Sequence, residues 1–156
     1  MEINERTIEV VKDLIQINND RVTGYERAGG KTKTLDIDLQ AIFLSMANDS
    51  RKYTTDLTAE LARCGWQNEN GYTSKGKIYQ VWMDVNATFS GFDRQSILES
   101  CEFGEDTIQK AYSAALAADV EMDIETRNLL EHQKDLLNTA YRLIKSYLDA
   151  AQLVHA

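Results

Sequence analysis

GWQNENGYTSKGKIYQVWMDVNATFSGFD, residues 65–93, is the stretch on which the topology of this chain turns. It opens polar, and Asn68-Glu69-Asn70-Gly71 reads as a loop. Ser74 can cap a helix over about 75–89 that carries Ile78, Tyr79, Val81, Trp82, Val85 and Phe89. Ser90-Gly91-Phe92 breaks that helix, and Asp93 offers a fresh N-cap. Antiparallel neighbours in a bundle need only a few linking residues. Spending roughly 28 residues, one helix among them, predicts a crossover from one end of the bundle to the other. The rival layout is one unbroken helix from 75 to 118 in a plain up-down bundle. Gly91 and Asp93 argue against it, although a single glycine costs a helix only about 1 kcal/mol.

On either side of this stretch the hydrophobic periodicity is helical. Ile8, Val11, Ile15, Asn18, Val22 and Tyr25 recur at spacings of three and four, which lines them up on one face of a helix over about 4–28. Gly29-Gly30 is its expected stop. A second segment, about 34–64, starts at Thr34 and carries Leu39, Phe43, Met46, Ser50, Tyr53, Leu57, Leu61 and Cys64 before Gly65 ends it. The loop between them is short, so the two should pack antiparallel. After the crossover, Leu98, Cys101, Glu105, Ile108, Tyr112 and Ala115 form the seam of a third segment, about 94–118. Asp119 to Asp123 makes a tight turn into a fourth, about 123–154, with Leu130, Leu137, Ile144 and Leu148 on its core side.

Four long amphipathic helices with a helix-containing crossover between the second and third are the layout of a ferritin-like bundle. The expected fold is therefore all-α: a ferritin-like four-helix bundle with an extra helix in the crossover, as one domain over residues 1–156. The absence of proline leaves every backbone N–H available to such helices.

Composition narrows the function. The net charge is −8, from 25 acidic against 17 basic residues, and no basic stripe appears, so nucleic acid is not the expected partner. An acidic surface also repels anionic lipids, and no apolar run approaches the ~20 residues that span a bilayer. The acidic Met1-Glu2-Ile3-Asn4-Glu5 start is unlike a signal peptide. Cys64 and Cys101 lack CxxC spacing and read as reduced thiols. These features together give a cytoplasmic address.

Ferritin-like bundles commonly hold a di-metal site made of a Glu from each of two helices and Glu-x-x-His from each of the other two. The i, i+3 spacing works because both side chains then leave one helix face. This chain lacks that motif: Leu129 stands three residues before His132, and His155 lies at the extreme end. Carboxylates on the apolar seams remain. Glu105 lies between Cys101 and Ile108 at core spacing, and Glu60 lies three residues after Leu57. A carboxylate inside a bundle must be paired, protonated or bound to a cation. Glu60 and Glu105 are therefore the candidate metal ligands, for a divalent ion such as iron or manganese, with Glu26, Asp56 and Glu102 as weaker helpers. The plainer reading is a carboxylate hydrogen-bonded to Tyr53, Tyr112 or Tyr141, or lying at a wet seam edge. Asn18 and Gln133 also fall on core positions, where each could line a polar centre or fix helix register. Trp82 and Tyr79 could line a small-molecule pocket beside the crossover helix. No phosphate loop, nucleophile elbow or zinc-ligand cluster occurs.

The run KIYQVWMDVNATFSGFDRQSILESCEFGEDTIQKAY, residues 77–112, resembles a bacterial four-helix-bundle family of unknown function in the ferritin-like superfamily. NNDRVTGYERA at 18–28 and SRKYTTDL at 50–57 are similar to further blocks of it. The resemblance covers nearly the whole chain and implies a ferritin-like bundle with no established activity. It sets Tyr141 where that family often has a histidine and Asp56 at an acidic position of the second helix, and it retains Glu102, Glu105 and Asp106.

Two functions are expected from these residues. The first is a non-catalytic structural or interaction protein, in a stress setting by superfamily analogy, which self-associates or binds a protein partner. The second is a metal-binding bundle with an atypical carboxylate-rich site between the helices. Carboxylate-only ligation would suit manganese, magnesium or calcium better than a di-iron pair.

Overall fold

The structure is a computed structural model that describes residues 5–31, 36–66, 93–118 and 121–154. Within them the chain is helical and no strand occurs: α1 is Glu5–Lys31, α2 Ile37–Arg63, α3 Arg94–Ala117 and α4 Ile124–Val154. The expected crossover helix at 75–89, with Tyr79 and Trp82, lies outside the described residues.

The ends of the helices follow local chemistry. α1 continues through Gly29 and Gly30 to Lys31 instead of stopping at the glycine pair. A glycine permits a left-handed stop but does not impose one. α2 begins at Ile37 after Asp36, whose side chain does not cap the helix but accepts from Arg94 Nη1 at 3.0 Å. Its C-terminus is a Schellman stop. Gly65 takes φ +95°, its N–H bonds Ala62 O at 3.0 Å, and Trp66 N–H bonds Leu61 O at 3.0 Å. Asp93 has extended backbone and its carboxylate accepts from Ser96 N at 2.7 Å, so α3 starts there and an unbroken helix from 75 to 118 is ruled out. Asp123 caps α4 in the same way, accepting from Glu125 N at 2.9 Å.

Ion pairs show which ends lie together. Arg94, at the start of α3, pairs with Asp36 at 3.0 Å and Asp38 at 2.7 Å, at the start of α2. Arg63, at the end of α2, pairs with Asp123 at 2.7 Å and Glu125 at 3.2 Å, at the start of α4. The consecutive helices α2 and α3 therefore run in the same direction, and α1 and α4 run against them. α1 packs along α2, and α3 along α4. The hairpins meet through α1 against α3 and, more loosely, α2 against α4.

The core is in two apolar parts. One gathers Tyr25, Phe43, Leu39, Leu98, Ile144 and Leu148 toward the start of α2. The other gathers Val11, Ile15, Leu57, Leu61, Ile108 and Leu130 toward its end. Between them lies a layer of buried polar side chains. Among the described residues no helix is long and apolar enough to cross a membrane.

Candidate functional site

The interior layer is built by residues that share helix faces with the apolar seams. Asn18 and Arg21 are spaced i, i+3 on α1, Met46 and Ser50 i, i+4 on α2, and Glu105 and Tyr112 i, i+7 on α3, with Gln133 facing them from α4. Arg21, Glu105, Asn18, Ser50 and Tyr112 are wholly buried, and Gln133 nearly so.

Arg21 and Glu105 form a two-pronged ion pair: Nε donates to Oε2 at 2.7 Å and Nη2 to Oε1 at 2.9 Å. Nη1 donates to Ser50 Oγ at 2.8 Å and to Met46 O at 3.3 Å, and Nη2 also reaches Met46 Sδ at 3.2 Å. From Ser50 the donors run one way. Ser50 Oγ donates to Asn18 Oδ1 at 2.9 Å, and Asn18 Nδ2 donates to Leu14 O at 2.8 Å and to Tyr112 OH at 2.9 Å. Tyr112 OH donates to Gln133 Oε1 at 2.7 Å, and Gln133 Nε2 ends the chain on Tyr53 O at 3.3 Å. All four helices contribute, and each bond polarises the next in a low-dielectric setting.

Burial opposes the Arg21 charge, but Glu105, helped by the nearby Tyr25, more than offsets it and holds the guanidinium protonated. The Arg21 guanidinium also stacks 5.2 Å from the Tyr25 ring centroid. Burial pushes the phenols of Tyr25 and Tyr112 and the thiol of Cys101 upward. Tyr53 is pushed up to about 12 by burial and by Asp49. None of these groups is poised for proton transfer near neutral pH.

A bundle-core metal needs carboxylate and imidazole lone pairs converging on one point. Here both Glu105 oxygens accept from Arg21, and the other side chains of the layer are neutral. The remaining buried carboxylate among the described residues, Asp20, adjoins Arg21 in sequence, so it leaves α1 at another angle, and it accepts from Gln16 at 3.0 Å. A divalent ion in this layer would adjoin a buried guanidinium. These residues do not fit a di-metal centre.

The other candidate ligands stand elsewhere. Glu60 lies ten residues beyond Ser50 on α2, about 15 Å along the helix. There it accepts from Arg63 Nη2 at 2.6 Å and from Thr126 Oγ1 at 2.8 Å. Its carboxyl is held below the usual range, chiefly by the Arg63 hydrogen bond. Glu60, Cys64 and Asp123 can bring one ligand atom each within 4.8 Å of one another, but Arg63 also donates to Asp123 at 2.7 Å and to Cys64 Sγ at 3.4 Å. Glu26 pairs with Arg51 at 2.6 Å, Asp56 with Lys52 at 3.5 Å and Glu102 with Lys145 at 3.7 Å, all toward the surface. His132 is exposed. The layer thus brings Glu105 together with Asn18, Tyr112 and Gln133, but not with Glu60, Glu26, Asp56 or Glu102. The residue that sequence reasoning missed is Arg21.

An open cavity of about 320 Å³ lies between α2 and α4, its lining including Ile42, Tyr53, Leu136 and Leu143 together with the charged Asp49 and Lys52.

Fold and layer together define, among the described residues, four long helices whose interior is closed by an internal ion pair. Residues 6–118 match the family described as domain of unknown function (DUF2383), and the chain belongs to that family. The match takes in nearly all of α1, together with α2 and α3, hence Asn18, Arg21, Ser50, Glu105 and Tyr112; Gln133 lies beyond it. No curated protein matches the chain.

Proposed function

We propose that this protein is a ferritin-like bundle that serves as a non-catalytic structural or interaction protein. The observation that carries this reading is the engagement of Glu105: the one carboxylate of the interior layer has both oxygens bonded to Arg21. The donors that a reactive metal would need are occupied by the protein itself. The shared direction of α2 and α3 supports the ferritin-like assignment, because it is the arrangement that a crossover between those helices produces. An acidic surface suits a cytoplasmic setting, and the open α2–α4 seam with its half-exposed Leu136 and Leu143 suits self-association or a protein partner. The stress setting follows from analogy of fold alone.

The test is elemental analysis after incubation with iron(II) or manganese(II) and exhaustive desalting, alongside sedimentation velocity. Sub-stoichiometric metal and a concentration-dependent oligomer are expected. One or two tightly held ions per chain would overturn the reading.

The second reading, divalent-metal binding through carboxylates, draws on the close approach of Glu60, Cys64 and Asp123. It requires Arg63 to give way to the ion. Metal that is lost in Glu60→Ala but kept in Glu105→Ala would select it.

A further inference from the structure

We infer that the interior of this bundle is a guanidinium-binding site filled by the chain's own Arg21. A guanidinium side chain carries five N–H donors in one plane and no acceptor. Around Arg21 there are five contacts for them: one from Nε, two from Nη1 and two from Nη2. The acceptors are both oxygens of Glu105, the hydroxyl of Ser50, and the carbonyl and thioether of Met46.

This donor set discriminates between cations. It offers a single negative charge, a planar fork and a soft sulfur, so it matches a flat, weakly hydrated cation. A divalent ion demands several hard oxygens and gives up its water reluctantly. A primary ammonium has three donors arranged about a point and leaves acceptors unmet. Ser50 is locked in the accepting sense toward Arg21 because its own hydrogen goes to Asn18. The hydrogen-bond chain through Asn18, Tyr112 and Gln133 therefore holds the site's geometry from behind.

Removing the side chain in Arg21→Ala should leave this site vacant and accessible to a free guanidinium. The experiment is thermal unfolding of the full chain with millimolar methylguanidinium, methylammonium, magnesium or manganese chloride. Methylguanidinium is expected to raise the midpoint of R21A by about 4 °C or more, with little effect from the other salts. It should leave the native protein and R21A/E105Q unmoved. If R21A is unfolded at the outset, helix recovered on adding methylguanidinium, followed by far-ultraviolet circular dichroism, is the readout. Arg21→Lys should be poorly stable and insensitive to every salt.

Equal rescue by manganese, or none by any cation, overturns the inference. Either result leaves the interaction-bundle reading standing if the native protein binds no metal. Conversely, metal retained by the native protein would sink that reading whether or not R21A is rescued.

Discussion

Arg21 on α1 and Glu105 on α3, both wholly buried, face each other prong to prong at 2.7 and 2.9 Å, with no solvent on either side chain. Removing one member strands the other's charge. Glu105→Ala should therefore cost about 3–5 kcal/mol in urea denaturation. Arg21→Met with Glu105→Leu, which removes both charges and retains volume, should come back to within about 1 kcal/mol of the native protein or surpass it. A double variant as unstable as the single one would show that the pair is not the source of the loss.

Tyr112 is the relay between Asn18 and Gln133, accepting from one and donating to the other. Tyr112→Phe preserves the ring and leaves two buried amide groups each short of a partner. A loss of about 1–3 kcal/mol is expected, with near-native helical content. A change below about 0.5 kcal/mol would mean that water replaces the hydroxyl.

At the far end of α2, Gly65 has φ +95° and closes the helix stop. Nothing lies within 4 Å of the place a Cβ would take, so Gly65→Ala tests backbone conformation without a clash. It should cost about 1–2 kcal/mol by equilibrium unfolding. An unchanged midpoint would show that the helix stop has reorganised.

The Arg63 cluster sets an acid limit. Its hydrogen bonds depress the carboxyls of Glu60 and Asp123 below their ordinary values of 4.5 and 3.8. The folded protein then binds fewer protons than the unfolded chain in that range. Their stabilising effect is complete above those ordinary values and fades as the pH falls through the lower folded ones. Arg63→Gln should lower the melting temperature at pH 7 and narrow the gap to the native protein at pH 3. A gap independent of pH would point to lost packing instead.

Cys101 is wholly buried, and burial pushes its thiol upward, whereas Cys64 is half-buried. Mass spectrometry after iodoacetamide treatment at pH 8 should find Cys64 modified first, with Cys101 reacting only under denaturant. Comparable rates under native conditions would reveal frequent opening of the core part toward the start of α2, which holds Cys101.

The helices were legible because their seams repeat every three or four residues, and Asn18, Glu105, Tyr112 and Gln133 fell on those seams. Arg21 did not stand out because Asn18 to Val22 to Tyr25 and Asn18 to Arg21 to Tyr25 are both acceptable helical steps, and a charged residue is assigned to solvent by default. The usable signal was Glu105 itself. A buried carboxylate demands a cation, and Arg21 is a basic residue one turn from Asn18 on a neighbouring seam. Glu60 misled for the opposite reason: its seam position is real, but it lies at a bundle end, where Arg63 and Thr126 reach it. α1 outruns its expected stop at Gly29-Gly30 because both glycines can remain helical.

The division of charge between the two hairpins governs how copies of the chain can combine. The α1–α2 hairpin brings the arginine and the α3–α4 hairpin the glutamate. Two first hairpins docked on each other would bury facing guanidinium groups with no carboxylate, and two second hairpins would bury facing carboxylates. Each mismatch strands charges in an apolar interior, a penalty of several kcal/mol. Even if chains exchange halves at high concentration, each first half is obliged to accept only a second half, so any intertwined assembly reproduces the monomer's interior.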